Sequence, residues 1–275
     1  MASRDILTRT PPDRDQRVHY GAYPENFVDF RFPKGSGPFP VLLVVHGGFW
    51  LSEYDLVHMA HLCARFTSMG VITCNIEYRR VGDPGGGWAG TFQDVASATD
   101  YIFDRMRSDG RFDPGRTVVL GFSAGAHLAL WLSSRHRIDE GSSLYSRPKG
   151  VLRGVVSLAG LTDLRAAWKL RVGDGAVERL MGGTPEVFPE RYDAGSPIEL
   201  LPSGVRQVLI HGTDDEVVPV SQSERFVERA RKVGDKPLLV KFETGHFELA
   251  DPESNAWPTV SKATLRLLGK TNDTA

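Results

Sequence analysis

The stretch that most limits what this chain can become is Thr117-Val118-Val119-Leu120-Gly121-Phe122-Ser123-Ala124-Gly125-Ala126-His127-Leu128. Residues 117–120 suit a buried strand. A sharp turn written Gly-x-Ser-x-Gly follows, and an apolar helix over 124–132 begins inside it. Alone, the pentapeptide is a common string, and its serine can be incidental to a strand-to-helix turn. Between a buried strand and a helix, the same string lifts a hydroxyl clear of the backbone and makes Ser123 a candidate nucleophile.

The rest of the chain repeats the same rhythm. Residues 40–45 (Pro-Val-Leu-Leu-Val-Val) form a continuous apolar run, the pattern of a strand buried on both faces of a parallel sheet. Helical spacing follows over 56–69, then a strand over 71–76, a helix over 91–106 and a strand over 152–159. After an interruption come a strand at 205–210, a helix at 221–232, a strand at 238–242 and a closing helix at 257–268 with a polar tail. Residues 1–25 read as an extended lead-in that docks on the domain. Residues 26–32 alternate and predict a partly exposed edge strand. The glycine-rich loop 82–88 lacks the Lys-Ser/Thr of a phosphate cradle and reads as a flexible surface loop. Strands alternating with helices predict an α/β fold, a mostly parallel central sheet with helices on both faces. The expectation is one domain over 1–275, interrupted at 162–203 by a proline-bearing segment that suits a small lid or cap.

Composition excludes several classes. With 33 basic and 34 acidic residues scattered along the chain, there is no footprint for nucleic acid or an anionic membrane. Cys63 and Cys74 are too few for a disulfide framework and read as reduced core thiols. No run is long enough to span a bilayer, and the polar opening residues have no apolar signal core. The expectations are a cytoplasmic protein with a small-molecule substrate, no cofactor and no metal; a homodimer is left open.

In a parallel sheet, sites lie beyond the C-terminal strand ends. His46, Glu77, Ser123, Ala159-Gly160, His211 and His246 all follow predicted strands, so they are expected on one rim. A serine hydroxyl needs a base, and the base needs an orienting partner. Asp214 or Asp215, in the acidic loop after residue 210, can orient a histidine; the plain alternative is a solvated turn. His246, on a loop after the last strand, supplies the base, and the order Ser, Asp, His along the chain is the one such folds use. The N–H of Ala124 heads the predicted helix. His46-Gly47-Gly48 follows a central strand and lets backbone N–H groups approach an oxyanion. His127 is expected packed in the core and His211 hydrogen-bonded within the acidic loop. His58 and His61 lie at i and i+3; without a third ligand they read as a helix surface.

These residues resemble the α/β-hydrolase superfamily over roughly 26–270. His46-Gly47-Gly48-Phe49-Trp50, with Gly121-Phe122-Ser123-Ala124-Gly125-Ala126-His127-Leu128, is similar to kynurenine formamidase-like and hormone-sensitive-lipase-like esterases. The His-Gly-Gly-x-Trp form points to the formamidase side; the lipase side usually has a third glycine where Phe49 stands. The resemblance implies a triad of Ser123, Asp215 and His246. It prefers Asp215 because the family's acid stands four residues before the proline of Asp-x-Val-Val-Pro, here Pro219. It implies oxyanion donors at Gly48 and Ala124, with Gly47 or Phe49 contributing.

The function this implies is hydrolysis of a small carboxylic ester or an aryl-formamide through an acyl-enzyme. Phe49, Trp50, Trp88 and Trp168 are candidates for an aromatic pocket wall, with core or lid packing as the plain alternative. Three rivals share the frame: a small-peptide hydrolase, an acyltransferase, and a non-catalytic ligand receptor of the same fold.

Overall fold

The computed structural model describes residues 5–270; the first four residues of the lead-in and most of the polar tail lie outside them. Eight strands form one sheet in the order β1-β2-β4-β3-β5-β6-β7-β8. They are β1 Gln16–His19, β2 Phe27–Arg31, β3 Phe39–Val45, β4 Ile72–Ile76, β5 Phe112–Phe122, β6 Gly154–Leu158, β7 Arg206–Gly212 and β8 Leu238–Phe242. The β1–β2 and β2–β4 pairs are antiparallel, and every other pair is parallel.

The apolar run of β3 explains its central place. Val41, Leu43 and Val45 feed one core and Leu42 and Val44 the other, all fully buried. A strand whose alternate side chains both meet oil cannot be an edge. On one face lie α2 (Gly90–Ser108), α3 (Ala124–Ser134) and α7 (Ser221–Lys232); on the other lie α1 (Ala60–Ser68) and α8 (Trp257–Leu267). The strand order reverses between β3 and β5, neighbours in register at Val45 and Gly121. That switch point opens a crevice beyond the strand ends, where ligands of open α/β sheets bind.

Three expectations change. Residues 26–32 do not form an edge: β1 pairs outside β2 from Gln16–Phe30 to His19–Phe27. The alternating charges that suggested exposure are buried because the lead-in satisfies them. Arg17 donates to both carboxylate oxygens of Asp29 at 2.7 and 2.8 Å, and Arg31 donates to the carbonyls of Pro12 and Asp13. The loop 82–88 is tied down rather than free: Asp83 accepts from the N–H and Nε of Arg80, and the Gly87 N–H donates to Thr91 Oγ1 at 3.1 Å. The predicted helix 56–69 is a 3-10 turn, Leu56–Met59, that runs into α1, with Asp55 accepting the Val57 N–H.

The segment 162–203 carries α4 (Leu164–Lys169), α5 (Ala176–Met181), α6 (Pro189–Gly195) and a 3-10 turn, Pro197–Leu200. Leu164, Val177, Leu180, Met181 and Tyr192 join the core that α3 borders. His127 and Trp131 of α3 hydrogen-bond the carbonyls of Gly195 and Ala194. The segment is thus stitched to the helix that follows Ser123. Cys63 and Cys74 are free and buried. No helix among the described residues is long and apolar enough to cross a membrane.

Candidate active site

The elbow is built by steric exclusion. A Cβ on Gly121 would come 2.1 Å from the carbonyl oxygen of Gly125, and one on Gly125 would come 2.1 Å from that of Val45. Only glycine permits this crossing of β3, β5 and α3. Ser123, between them, is held at φ +55°, ψ −120°. A left-handed φ on a residue with a Cβ costs on the order of 1–3 kcal/mol and persists only where its surroundings impose it. They do so here: the Ser123 N–H donates to the Leu158 carbonyl at 2.7 Å, and its own carbonyl accepts from Ala126 and His127. Ala124 then heads α3, whose first N–H groups have no intrahelical partner and carry the positive end of the helix dipole.

Two neighbouring strands deliver the next pair. Asp215 follows β7 and His246 follows β8; Asp215 Oδ2 lies 2.6 Å from His246 Nδ1. Asp215 Oδ1 accepts the N–H groups of Val217 and Val218 at 2.9 and 2.8 Å, and Oδ2 also lies 3.4 Å from His211 Nε2. Burial alone would raise this carboxyl. The hydrogen bonds from His211, His246 and Val218 outweigh it and hold Asp215 well below the usual carboxylate range. A charged Asp215 fixes the proton of His246 on Nδ1 and leaves Nε2 as the basic nitrogen. Asp214 is exposed and meets only the Thr213 hydroxyl on its side chain. His211 behaves as the sequence suggested, engaged by Ser223 Oγ and the Val218 carbonyl.

The other side of the elbow is a second histidine–carboxylate pair. His46 Nε2 lies 2.8 Å from Glu77 Oε1, and its Nδ1 2.8 Å from the Gly47 carbonyl. Tyr78 stacks on the His46 ring at 4.3 Å and donates its hydroxyl to the His46 carbonyl. Glu77 also accepts from the N–H groups of Leu56 and Tyr78 and faces Arg80 at 3.3 Å. Burial pushes the Glu77 carboxyl up, but His46, Arg80 and the Leu56 N–H hold it below its ordinary value. These bonds brace the turn that follows β3. Gly48 has φ +108°, and a Cβ there would fall 2.3 Å from that of Tyr54. Gly47 packs directly on the elbow: a Cβ on it would come 3.0 Å from that of Ser123.

Ser123, His246, Gly48 and Phe49 line one cavity of about 50 Å³, together with Leu7, Tyr54, His58, Phe122, Val217 and Phe247. Of the four aromatic candidates for its wall, only Phe49 reaches it. Trp50 is fully buried in the core, edge-on to His127 at 5.0 Å. Trp88 packs on Phe92 at 5.4 Å, and Trp168 donates its indole N–H to Glu178. The helix partners of these tryptophans hold them away from the serine. His127 is packed as expected. His58 is not on a surface: it is 4% exposed, 5.9 Å ring to ring from His46, and burial lowers its pKa to about 3. It lies within the 3-10 turn Leu56–Met59, whose spacing differs from that of an α-helix, which a helical spacing rule cannot anticipate. Glu77 was legible only as a charged residue at a strand end. No group of three or more His, Cys, Asp or Glu among the described residues could hold a metal ion.

A family model described as BD-FAE matches residues 28–230, well over half of the chain. A probable isoprenylcysteine alpha-carbonyl methylesterase of Arabidopsis thaliana is 29% identical over 241 residues, covering 82% of this chain and 49% of its own length. The esterase LipC of Mycobacterium tuberculosis is 28% identical over 252 residues, covering 85% of this chain and 58% of its own. The chain thus spans about half the length of the curated relatives it matches. Among solved structures, a truncated carbohydrate esterase from gut microbiota superposes with TM-score 0.77 at 19% identity, covering 95% of this chain and 100% of that one. Esterase B from Lactobacillus rhamnosis, inhibited by a tributyrin phosphonate, gives 0.79 at 19% identity, over 95% of this chain and 87% of that one. At such identities the structures establish the fold, and the fold is that of the α/β-hydrolases.

Proposed function

The chain belongs to the BD-FAE family, and from that premise we propose that it is a serine-dependent hydrolase of small carboxylic esters. The observation that carries this reading is the 2.6 Å contact of Asp215 with His246 Nδ1, beside a strained Ser123 that lines the same cavity as His246. The names of the relatives support it: they are methylesterases and esterases.

In this reading His246 Nε2 removes the Ser123 proton as Oγ attacks the ester carbonyl. Asp215, charged throughout, stabilises the imidazolium. The carbonyl oxygen becomes an oxyanion facing the N–H groups of Gly48 and Ala124, with Gly47 alongside. Each such donor contributes roughly 2.7–4 kcal/mol to the transition state. The carbon–oxygen bond to the alcohol breaks as His246 returns its proton to the leaving oxygen. Water then attacks the acyl-enzyme and gives its proton to His246; the bond from the acyl carbon to Ser123 Oγ breaks as His246 passes that proton to Oγ, freeing the acid and restoring the hydroxyl. The segment 162–203, through Phe49, whose ring meets Gly173, supports one wall of the pocket.

An aryl-formamide is the second substrate class in this reading. Formyl is the smallest acyl group, and a cavity of about 50 Å³ admits it. A panel of p-nitrophenyl esters and N-formyl-anilines, run on the wild type and on Ser123→Ala, tests both. Turnover of either class that Ser123→Ala abolishes supports the reading for that class; turnover that survives in the variant refutes it.

A further inference from the structure

One wall of the cavity at Ser123 arrives from far away in the chain. Leu7 lines it from the 3-10 turn Asp5–Leu7, which precedes the family-matched residues 28–230. The turn is seated rather than loose. Ile6 is 1% exposed, and Arg9 grips both carboxylate oxygens of Asp251 at 3.0 and 2.9 Å, with Glu253 at 3.4 Å. Asp251 stands just beyond the 3-10 turn Phe247–Leu249, which begins next to His246. The clamp therefore ties the segment to the loop that carries His246.

Of the other walls, Tyr54 is exposed and Val217 and Phe247 are half-buried, whereas the deep walls have little room to yield. Phe122 and His58 are 2% and 4% exposed, and Phe49 is wedged so closely on Gly173 that a Cβ there would come 2.4 Å from its ring. Leu7 is only half-buried, on a segment outside the family's shared body. A water-sized group occupies roughly 10–15 Å³ of such a cavity, so about 50 Å³ holds about four heavy atoms. That is the size of an acetyl or propionyl group.

We propose that Leu7 is a specificity-determining wall, which favours acetyl- and propionyl-sized acyl groups over longer chains. This rests on the ester-hydrolase reading above. Cutting Leu7 back to Cβ removes three carbons from the wall without opening the main core. Enlarging it closes the cavity further, and freeing Arg9 loosens the whole segment.

The test measures kcat/KM for p-nitrophenyl acetate, butyrate and hexanoate with the full chain, using Ser123→Ala as the blank. The wild type should favour acetate over hexanoate. Leu7→Ala should raise the hexanoate-to-acetate ratio at least about 10-fold, the discrimination one methylene commands in an apolar pocket. Arg9→Ala should move the ratio the same way, and Leu7→Trp should lower butyrate relative to acetate. The Trp and Arg9 variants carry the test if Leu7→Ala does not fold. A wild type that prefers hexanoate, or ratios unmoved by these substitutions, overturns the proposal while leaving the ester-hydrolase reading intact. If no ester is turned over in a Ser123-dependent way, that reading falls and the proposal falls with it.

Discussion

Two histidine–carboxylate pairs flank the elbow, and they are nearly alike in everything but one nitrogen. His46 and Glu77 follow the adjacent strands β3 and β4; Asp215 and His246 follow the adjacent strands β7 and β8. Their contacts are 2.8 and 2.6 Å, and all four side chains are almost inaccessible. In His46 both ring nitrogens are engaged, by Gly47 and Glu77. In His246 only Nδ1 is engaged, and the ring lines the cavity with Ser123. A buried pair with every valence filled can only hold structure. The same pair with one basic nitrogen turned to a cavity can move a proton. Proximity of charge does not separate the two roles; the uncommitted lone pair does.

The comparison breaks most visibly on the histidines themselves. His246→Ala should lower kcat/KM for a responsive ester by about 10⁴–10⁶-fold, as expected for members of such a unit, with the unfolding midpoint little changed. His46→Ala should show the opposite balance, a large loss of stability, with activity falling because the turn at Gly47 and Gly48 slackens. Steady-state kinetics paired with urea unfolding reads both. If His46→Ala stays as stable as the wild type while activity vanishes, the division of roles is wrong.

Asp215→Asn comes next. Losing the charge that sets the His246 tautomer should cost about 10⁴-fold in kcat. Asp214→Asn, at an exposed carboxylate, should stay within about two-fold. Equal losses in the two variants would remove Asp215 from its orienting place.

Why some of this could be read from the chain, and some not, follows from range. The elbow, His46-Gly47-Gly48, the acidic loop and His246 are local strings whose meaning depends only on following a buried strand. The sequence therefore placed them on one rim. What it missed depends on distant partners. Asp29 and Arg31 suggested an exposed edge because the charge of Arg17 and the carbonyls of residues 12 and 13, which satisfy them, are not visible in the alternation. Trp50, Trp88 and Trp168 sat near the right motifs, but His127, Phe92 and Glu178 decide where their rings go. His58 fitted helical spacing, and a 3-10 turn moved it inside.

Glu77→Ala sharpens the structural half of the comparison. It strips the partner from a buried His46 and leaves Arg80 and the Leu56 N–H short of an acceptor. Breaking a buried pair from one side costs about 3–5 kcal/mol. Urea unfolding should show that loss, with the His246–Asp215 contact intact and the residual activity still dependent on Ser123. A loss under about 1 kcal/mol would mean that the turn after β3 does not depend on this pair.

The smallest effect is a slope, and it belongs to the histidine that touches both regions. His58 stands 5.9 Å from the His46 ring and lines the cavity with His246. Burial lowers its pKa to about 3, and that of His127 to about 4. In the unfolded chain both return to about 6.5. Above pH 6.5 neither state binds the proton, and the stability these neutral rings permit is fully present. As pH falls from 6.5 towards 4, the unfolded state takes up protons that the folded state refuses, so stability declines. Each group contributes up to about 1.4 kcal/mol per pH unit. The depressed Asp215 carboxyl adds its own loss only below about pH 3.9, as the pH approaches its folded value. Between pH 6.5 and 4, therefore, the histidines act without the carboxyl. Urea unfolding between pH 7 and 4 should show His58→Phe losing stability less steeply than the wild type, by about one proton's slope. Parallel curves would mean that His58 takes up its proton in the folded state.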